Sequence, residues 1–375
     1  MSEGGPEPVE ASRAAGDPRP DADRADPLRE RLFGNALAAL ELYTIYLGER
    51  LGLYRALAES GPATSSQLAA RTGTNERYVR EWLEQQAASD LLAVDDPRAE
   101  ALDRRYWLPP EHIPVLADRD DVRYEASAGV DIVRAGRGLP QLVEAFRVGN
   151  APPPLGWEPE GRAEFNRGRF INLLGTEWLP AIVDLDVRLR LEPPARAIDV
   201  ACGTGWSSIA MAQAYPKINV HGVDLDHDAI DAARKNAQQA GVADRVTFSV
   251  ADATDLGGTG RYQLVTIFEA LHDMSRPVDV LSAARRMLSE DGTVLVADGL
   301  VAEEFMVPAS PRERTEYGWS VVSCLPGAMG DPQTAATGAV MRPSVLRQYA
   351  LQAGFGEVEV LPIHTDYWRF YRLLR

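Results

Sequence analysis

The chain has 375 residues, 45% of them apolar and 25% charged, enough for two or three domains with buried cores. Its 55 acidic residues outnumber 39 basic ones, and the resulting formal charge of −16 disfavours nucleic-acid and anionic-membrane partners. Two cysteines, Cys202 and Cys324, cannot build a disulfide framework or a zinc site. With no apolar run of membrane-span length and no apolar leader, a cytoplasmic protein is expected.

Residues 1–27 are rich in Pro, Gly and acids and hold no aromatic, so a disordered tail is expected there. From Leu28 the pattern is helical, with Phe33, Leu37, Leu40, Thr44 and Leu47 on one face. A second helix through Leu51, Tyr54 and Leu57 stops at Gly61 and Pro62. Thr64 and Gln67 form a capping box for a short third helix. After a turn at Gly73, Thr74 or Asn75 caps a fourth helix that buries Tyr78, Val79, Trp82 and Leu83. A hairpin of Leu91–Val94 and Arg105–Leu108 completes a winged-helix arrangement over residues 28–118. Its recognition helix sets Arg77 and Arg80 against Glu76, Glu81 and Glu84, whereas a helix that enters a DNA groove should be basic. The first helix, rich in Leu, Ala and Tyr, suits a subunit contact instead.

Residues 119–190 read as a helical linker or lid, broken by the Pro-rich run 150–157. The second helical stretch carries Phe165, Phe170 and Trp178 with Arg162, Arg167 and Arg169; the arginines either bind an acidic substrate or are solvated. Residues 191–375 alternate between strands and helices. Strands are expected at Ala197–Val200, Asn219–Val223, Val246–Val250, Leu264–Glu269 and Thr293–Asp298, with helices between most of them. This is the pattern of an α/β, mostly parallel Rossmann-like sheet. Two final strands, Glu357–Leu361 and Trp368–Leu374, make an antiparallel hairpin that finishes it.

The densest chemical signal is the run Ala197 to Trp206, AIDVACGTGW. A buried strand ends in a turn with Gly203 and Gly205, and a helix follows, so backbone N–H groups can meet a ligand. The dinucleotide fingerprint needs a third Gly where Ser208 stands. Asp199 at the strand lip opposes a pyrophosphate but suits a cation, which favours S-adenosylmethionine over NAD. Asp224 closes the second strand about 20 residues on, where an acid accepts ribose hydroxyls; a helix cap is its blander role. Asp252 closes the third strand, where it can accept from an adenine amino group, with Ala253 or Ile230 against the ring and Leu225 a further candidate cofactor contact.

These three acid-bearing strands, with the FEALHD run from Phe268 to Asp273, resemble the class I S-adenosylmethionine-dependent methyltransferases. The winged helix and the C-terminal runs around Tyr317, Thr337 and Trp368 resemble the actinobacterial members that carry such a domain. The resemblance implies a class I methyltransferase fold, a first motif at Asp199, Gly203 and Gly205, a ribose acid at Asp224 and an adenine acid at Asp252. Ala201 stands where many members have Gly, which narrows the loop. The resemblance also implies a winged helix used for homodimerisation rather than DNA binding.

For acceptor chemistry, His272 lies just past the fourth strand, where the family places a general base; it could equally cap the next helix or pack under the cofactor. Glu269 is its rival as base or as partner of a developing cation, and it counts also among the cofactor contacts. Trp157, Phe170, Tyr317 and Trp319 are candidate walls for a small-molecule acceptor, although aromatics at helical spacing are more often core. No metal is implied. The expected activity is methyl transfer to an O, N or C atom of a small molecule; a winged-helix regulator that senses the same cofactor is the alternative.

Overall fold

This computed structural model describes residues 22–149, 161–256 and 260–375. The chain divides after Glu41 into two compact units. Helix α1 spans Ala22–Arg50, so it begins within the stretch expected to be disordered. Pro27 lies inside it, near enough to the start that the missing N–H forfeits a single bond. In the first unit Leu32, Phe33, Leu37 and Leu40 of α1 are exposed.

The second unit opens on the winged helix. Gly52, at φ 67°, breaks the chain before α2, Leu53–Ser60. The Thr64–Gln67 capping box is formed at the start of α3, Ser65–Thr72, and the Asn75 side chain caps α4, Glu76–Ala88. Val79, Trp82, Leu83 and Gln86 make the buried stripe of α4, at spacings of three and four. Tyr78, expected on that stripe, is 81% exposed because it lies a quarter-turn away. The wing is a short antiparallel pair, β1 at Ala93–Val94 and β2 at Tyr106–Trp107. Tyr54, Leu57, Leu68, Leu83 and Tyr106 fill the core beneath it.

A single turn, α5 (Ile113–Leu116), leads to α6, Ala128–Val148, which ends on left-handed Gly149. Helix α7, Arg162–Arg169, runs on as a π-helical segment, Phe170–Trp178, and α8 spans Val183–Arg190. The sheet then begins: β3 Arg196–Val200, α9 Trp206–Ala214, β4 Asn219–Asp224, α10 His227–Gln239, β5 Val246–Val250, β6 Tyr262–Phe268, α11 Pro277–Met287 and β7 Leu288–Gly299. Two helices that the sequence did not mark follow, α12 (Pro311–Trp319) and α14 (Pro343–Gln352). Between them the chain passes through a π-helical turn, Ser320–Cys324, and a short α13, Leu325–Ala328. The hairpin β8 (Glu357–Val360) and β9 (Trp368–Leu374) closes the fold.

The seven strands lie in the order β5-β4-β3-β6-β7-β9-β8, with β9 antiparallel to both neighbours and the first five parallel. Alternation along β3 feeds two cores: Ala197 packs with α9 and α10, while Ile198 and Val200 pack with α11 and α14. A fully buried Ile or Leu of this kind contributes roughly 1.5–3 kcal/mol. Parallel pairing gathers the carboxyl ends of β3, β4, β5 and β6 along one edge, where open α/β sheets bind ligands.

Candidate active site

The loop after β3 turns through three left-handed residues, Ala201 (φ 57°), Gly203 (φ 52°) and Gly205 (φ 82°). A Cβ on Gly205 would sit 2.6 Å from the Phe248 ring, whereas one on Gly203 would meet open space. Ala201 takes the same conformation without glycine's freedom, a strain of about 1 kcal/mol or more.

Asp199, 1% exposed, accepts hydrogen bonds from the hydroxyls of Ser207 (2.5 Å), Ser208 (2.7 Å) and Thr266 (2.7 Å). Burial raises its pKa against the pull of those three donors. These bonds tie the end of β3 to α9 and β6, and Ser208, where a dinucleotide site would have glycine, is one of the ties. Asp224 accepts from the Gly203 N–H (2.8 Å) with Oδ2 and from the Asp226 N–H (2.9 Å) with Oδ1. Burial lifts its pKa, and each oxygen keeps a second lone pair for a ligand. Asp252 accepts from the Thr254 N–H (2.8 Å) and hydroxyl (2.7 Å) and faces Arg276 at 3.3 Å. Partial burial would raise its pKa, but these partners hold it below the usual value.

Two cavities meet at these strand tips. One, of about 480 Å³, is lined by Asp224, Leu225, Asp252, Ala253, Met274 and Arg276. The other, of about 150 Å³, is lined by Arg134, Asn166, Asp199, Gly203, Trp206 and Phe170. They share Ala201, Glu269 and Ala270. Glu269 ends β6 in a left-handed conformation, φ 52°, fixed by its N–H donating to the Ala297 carbonyl at 2.7 Å. Its Oε2 accepts from Asn166 Nδ2 at 2.6 Å.

Residues 191–340 match the model of the methyltransferase domain family, and residues 38–118 match that of the Rv2258c-like winged HTH domain. The chain thus carries a methyltransferase domain of the class I fold behind an N-terminal winged helix. A ubiquinone biosynthesis O-methyltransferase from Ralstonia nicotianae is 27% identical over 171 residues, 43% of this chain and 67% of that protein. The 27-O-demethylrifamycin SV methyltransferase of Amycolatopsis mediterranei is 32% identical over 137 residues, 36% of this chain and 50% of that one. Human N-acetylserotonin methyltransferase, solved in complex with SAM, shares the fold at a TM-score of 0.68 and 17% identity, over 96% of this chain and 99% of its own.

Within the methyltransferase domain, His272 lies just past β6, in the turn Leu271–Asp273. It is 4% exposed and lines neither cavity of the cradle. Nδ1 lies 2.7 Å from Asp298 and Nε2 lies 3.3 Å from Asp273. Burial pulls its pKa down, but Asp298 and Asp273 more than reverse this and hold it well above the usual imidazole value. Both ring nitrogens thus face carboxylates in this arrangement. Cys324 joins it, so that ligand-type atoms of His272, Asp273 and Cys324 lie within 4.8 Å of one another. Sequence reading missed Asp298, although it tips β7 as the other acids tip their strands.

A third cavity of about 500 Å³ has Ile132, Phe165, Trp319, Val322 and Tyr367 among its walls. Trp319, one of the candidate acceptor walls, lines this cavity. Tyr317 is not among its lining residues: the Tyr317 hydroxyl accepts from Arg342 at 3.1 Å and its ring meets Phe305 edge-on. Phe170, 7% exposed, reaches the small cavity but packs chiefly against Phe268 and Trp368. Trp157 lies outside the described residues. Arg167 pairs with Asp120, and Arg169, 5% exposed, with Glu125, so both are tied rather than solvated.

Proposed function

We propose that this methyltransferase moves a methyl group from S-adenosylmethionine to a small, largely apolar acceptor. The observation that carries the reading is the union of two cavities at the strand tips, one walled by Asp224 and Asp252 and one by the Gly203 loop, through Ala201, Glu269 and Ala270. The residues fit an adenosyl amino acid. Asp224 keeps lone pairs for both ribose hydroxyls, Leu225 and Ala253 offer faces for adenine, and Asp252 lies at the same wall. Ala201, Gly203 and Gly205 let the backbone approach the methionine part, and Asp199 holds that loop in shape.

When bound, the cofactor supplies an electrophilic methyl on a positively charged sulfur. The protein's work is alignment, exclusion of water and removal of the acceptor's proton. Glu269, at the junction of both cavities, is the side chain placed to face the cationic centre or to take that proton. His272 reaches an acceptor only when it exchanges its Asp273 contact for one to the substrate. The 500 Å³ cavity receives the acceptor against Trp319, Phe165 and Tyr367. Helices α6 and α7 serve both sites: Ile132 and Phe165 face the acceptor cavity, Arg134 and Asn166 the small one. Relatives named for ubiquinone biosynthesis and for a rifamycin support an aromatic or polyketide-like acceptor.

We place the protein in the cytoplasm as a homodimer joined through α1, whose Phe33 and Leu40 are 73% and 61% exposed. No helix among the described residues is long and apolar enough to cross a membrane. The test is incubation with methyl-labelled S-adenosylmethionine and an extract of the producing organism. Label should enter an extractable small molecule with the intact protein and not with Asp224→Ala. Absence of any labelled product, with NADH bound in preference to S-adenosylhomocysteine, would overturn the reading.

A further inference from the structure

The small cavity contains polar atoms that this chain leaves unanswered. Arg134 Nε, Trp206 Nε1 and Asn166 Oδ1 are each buried and without a hydrogen-bond partner among the described residues. All three residues line the same 150 Å³ space. Buried polar groups are normally satisfied, and each one left unmade costs about 1–3 kcal/mol. Three in one enclosure point to a ligand with matching polarity.

The polarity can be read atom by atom. The Asn166 amide is oriented by Glu269: a carboxylate only accepts, so Nδ2 donates to it at 2.6 Å and Oδ1 is the free acceptor. Trp206 Nε1 can only donate, and its ring is held by the Arg167 guanidinium 4.1 Å from the centroid. Arg134 offers a fixed positive charge and donors in one plane. The cavity thus presents one cation and one neutral donor, and, beside them, an amide acceptor and the Glu269 carboxylate. An α-amino acid group has the complementary pair, a carboxylate and an ammonium.

We propose that Arg134, Trp206 and Asn166 form a clamp for the zwitterionic end of the bound cofactor. Arg134 and Trp206 donate to its carboxylate, and Asn166 accepts from its ammonium beside Glu269. The clamp rests on the function proposed above and deepens it. Arg134 comes from α6, outside the sheet, so the linker segment reads the amino-acid end while the strand tips read the nucleoside. The site thereby separates an adenosyl amino acid from a nucleoside that lacks the amino-acid end.

Calorimetric titration with S-adenosylhomocysteine and with 5′-methylthioadenosine, which lacks the amino-acid group, tests it. Arg134→Ala should weaken S-adenosylhomocysteine roughly thirtyfold or more and Trp206→Phe roughly tenfold, the range of a lost charge-assisted hydrogen bond. Neither variant should change the affinity for 5′-methylthioadenosine, which also reports an intact fold. Arg134→Lys should recover part of the loss, since charge survives and planarity does not. Equal losses for both ligands, or unchanged S-adenosylhomocysteine affinity in both variants, would overturn the clamp. Failure of the unaltered protein to bind either ligand would overturn the cofactor reading beneath it as well.

Discussion

At the wide end of the cradle the carboxylates are already occupied. Asp224 holds two backbone N–H groups, and Asp252 holds Thr254 and faces Arg276. At the narrow end Arg134 Nε, Trp206 Nε1 and Asn166 Oδ1 have no hydrogen-bond partner among the described residues. The first arrangement is rigid before a ligand comes, so it selects by shape and by spare lone pairs. The second is incomplete without one, so it selects by charge. On the proposed reading, the two ends of the cradle recognise different parts of one molecule.

That contrast can be broken or sharpened by substitution. Asp224→Ala should have the largest effect on binding, roughly a hundredfold on both S-adenosylhomocysteine and 5′-methylthioadenosine, since two ribose hydroxyls lose their acceptor. Equal loss for the two ligands would separate it from the narrow end. Asp199→Ala removes the carboxylate that three buried hydroxyls donate to, those of Ser207, Ser208 and Thr266. It should lower unfolding free energy by about 3 kcal/mol or more in urea titrations. Gly205→Ala combines a left-handed backbone with a 2.6 Å clash at Phe248 and should cost about 2 kcal/mol, with weaker cofactor binding. Trp319→Ala should raise the acceptor KM several-fold, with cofactor affinity held.

The smallest effect concerns pH. The folded pKa of His272 is raised above its unfolded value of about 6.5, so the protonated ring binds the native state more tightly. Its stabilising contribution is complete below that value and declines as pH climbs through the raised folded pKa. Urea unfolding of the wild type and His272→Gln should therefore diverge most in mild acid and converge in alkali. A gap that widens with pH would contradict the charged pair with Asp298.

Much of this was legible in the residues. The central strands are short, largely apolar runs with an acid or a Gly turn at or near their ends, and parallel pairing then forces the tips into one row. Asp199, Asp224 and Asp252 follow from that row alone. What escaped reading is tertiary. Nothing in the sequence ties α6 to the Gly203 loop, so Arg134 looked like any helical arginine. Tyr317 and Trp319 are both candidate walls in the sequence, yet residues two apart on a helix face different ways. His272 was placed correctly at its strand end, but its partner Asp298 lies 26 residues downstream and turns the ring inward.

The most direct measurement is a crystal structure with S-adenosylhomocysteine bound. The account predicts adenine between Leu225 and Ala253, both ribose hydroxyls on Asp224, and the amino-acid tail inside the 150 Å³ cavity. Density for the ligand away from the strand tips, with Asp224 untouched, would contradict it.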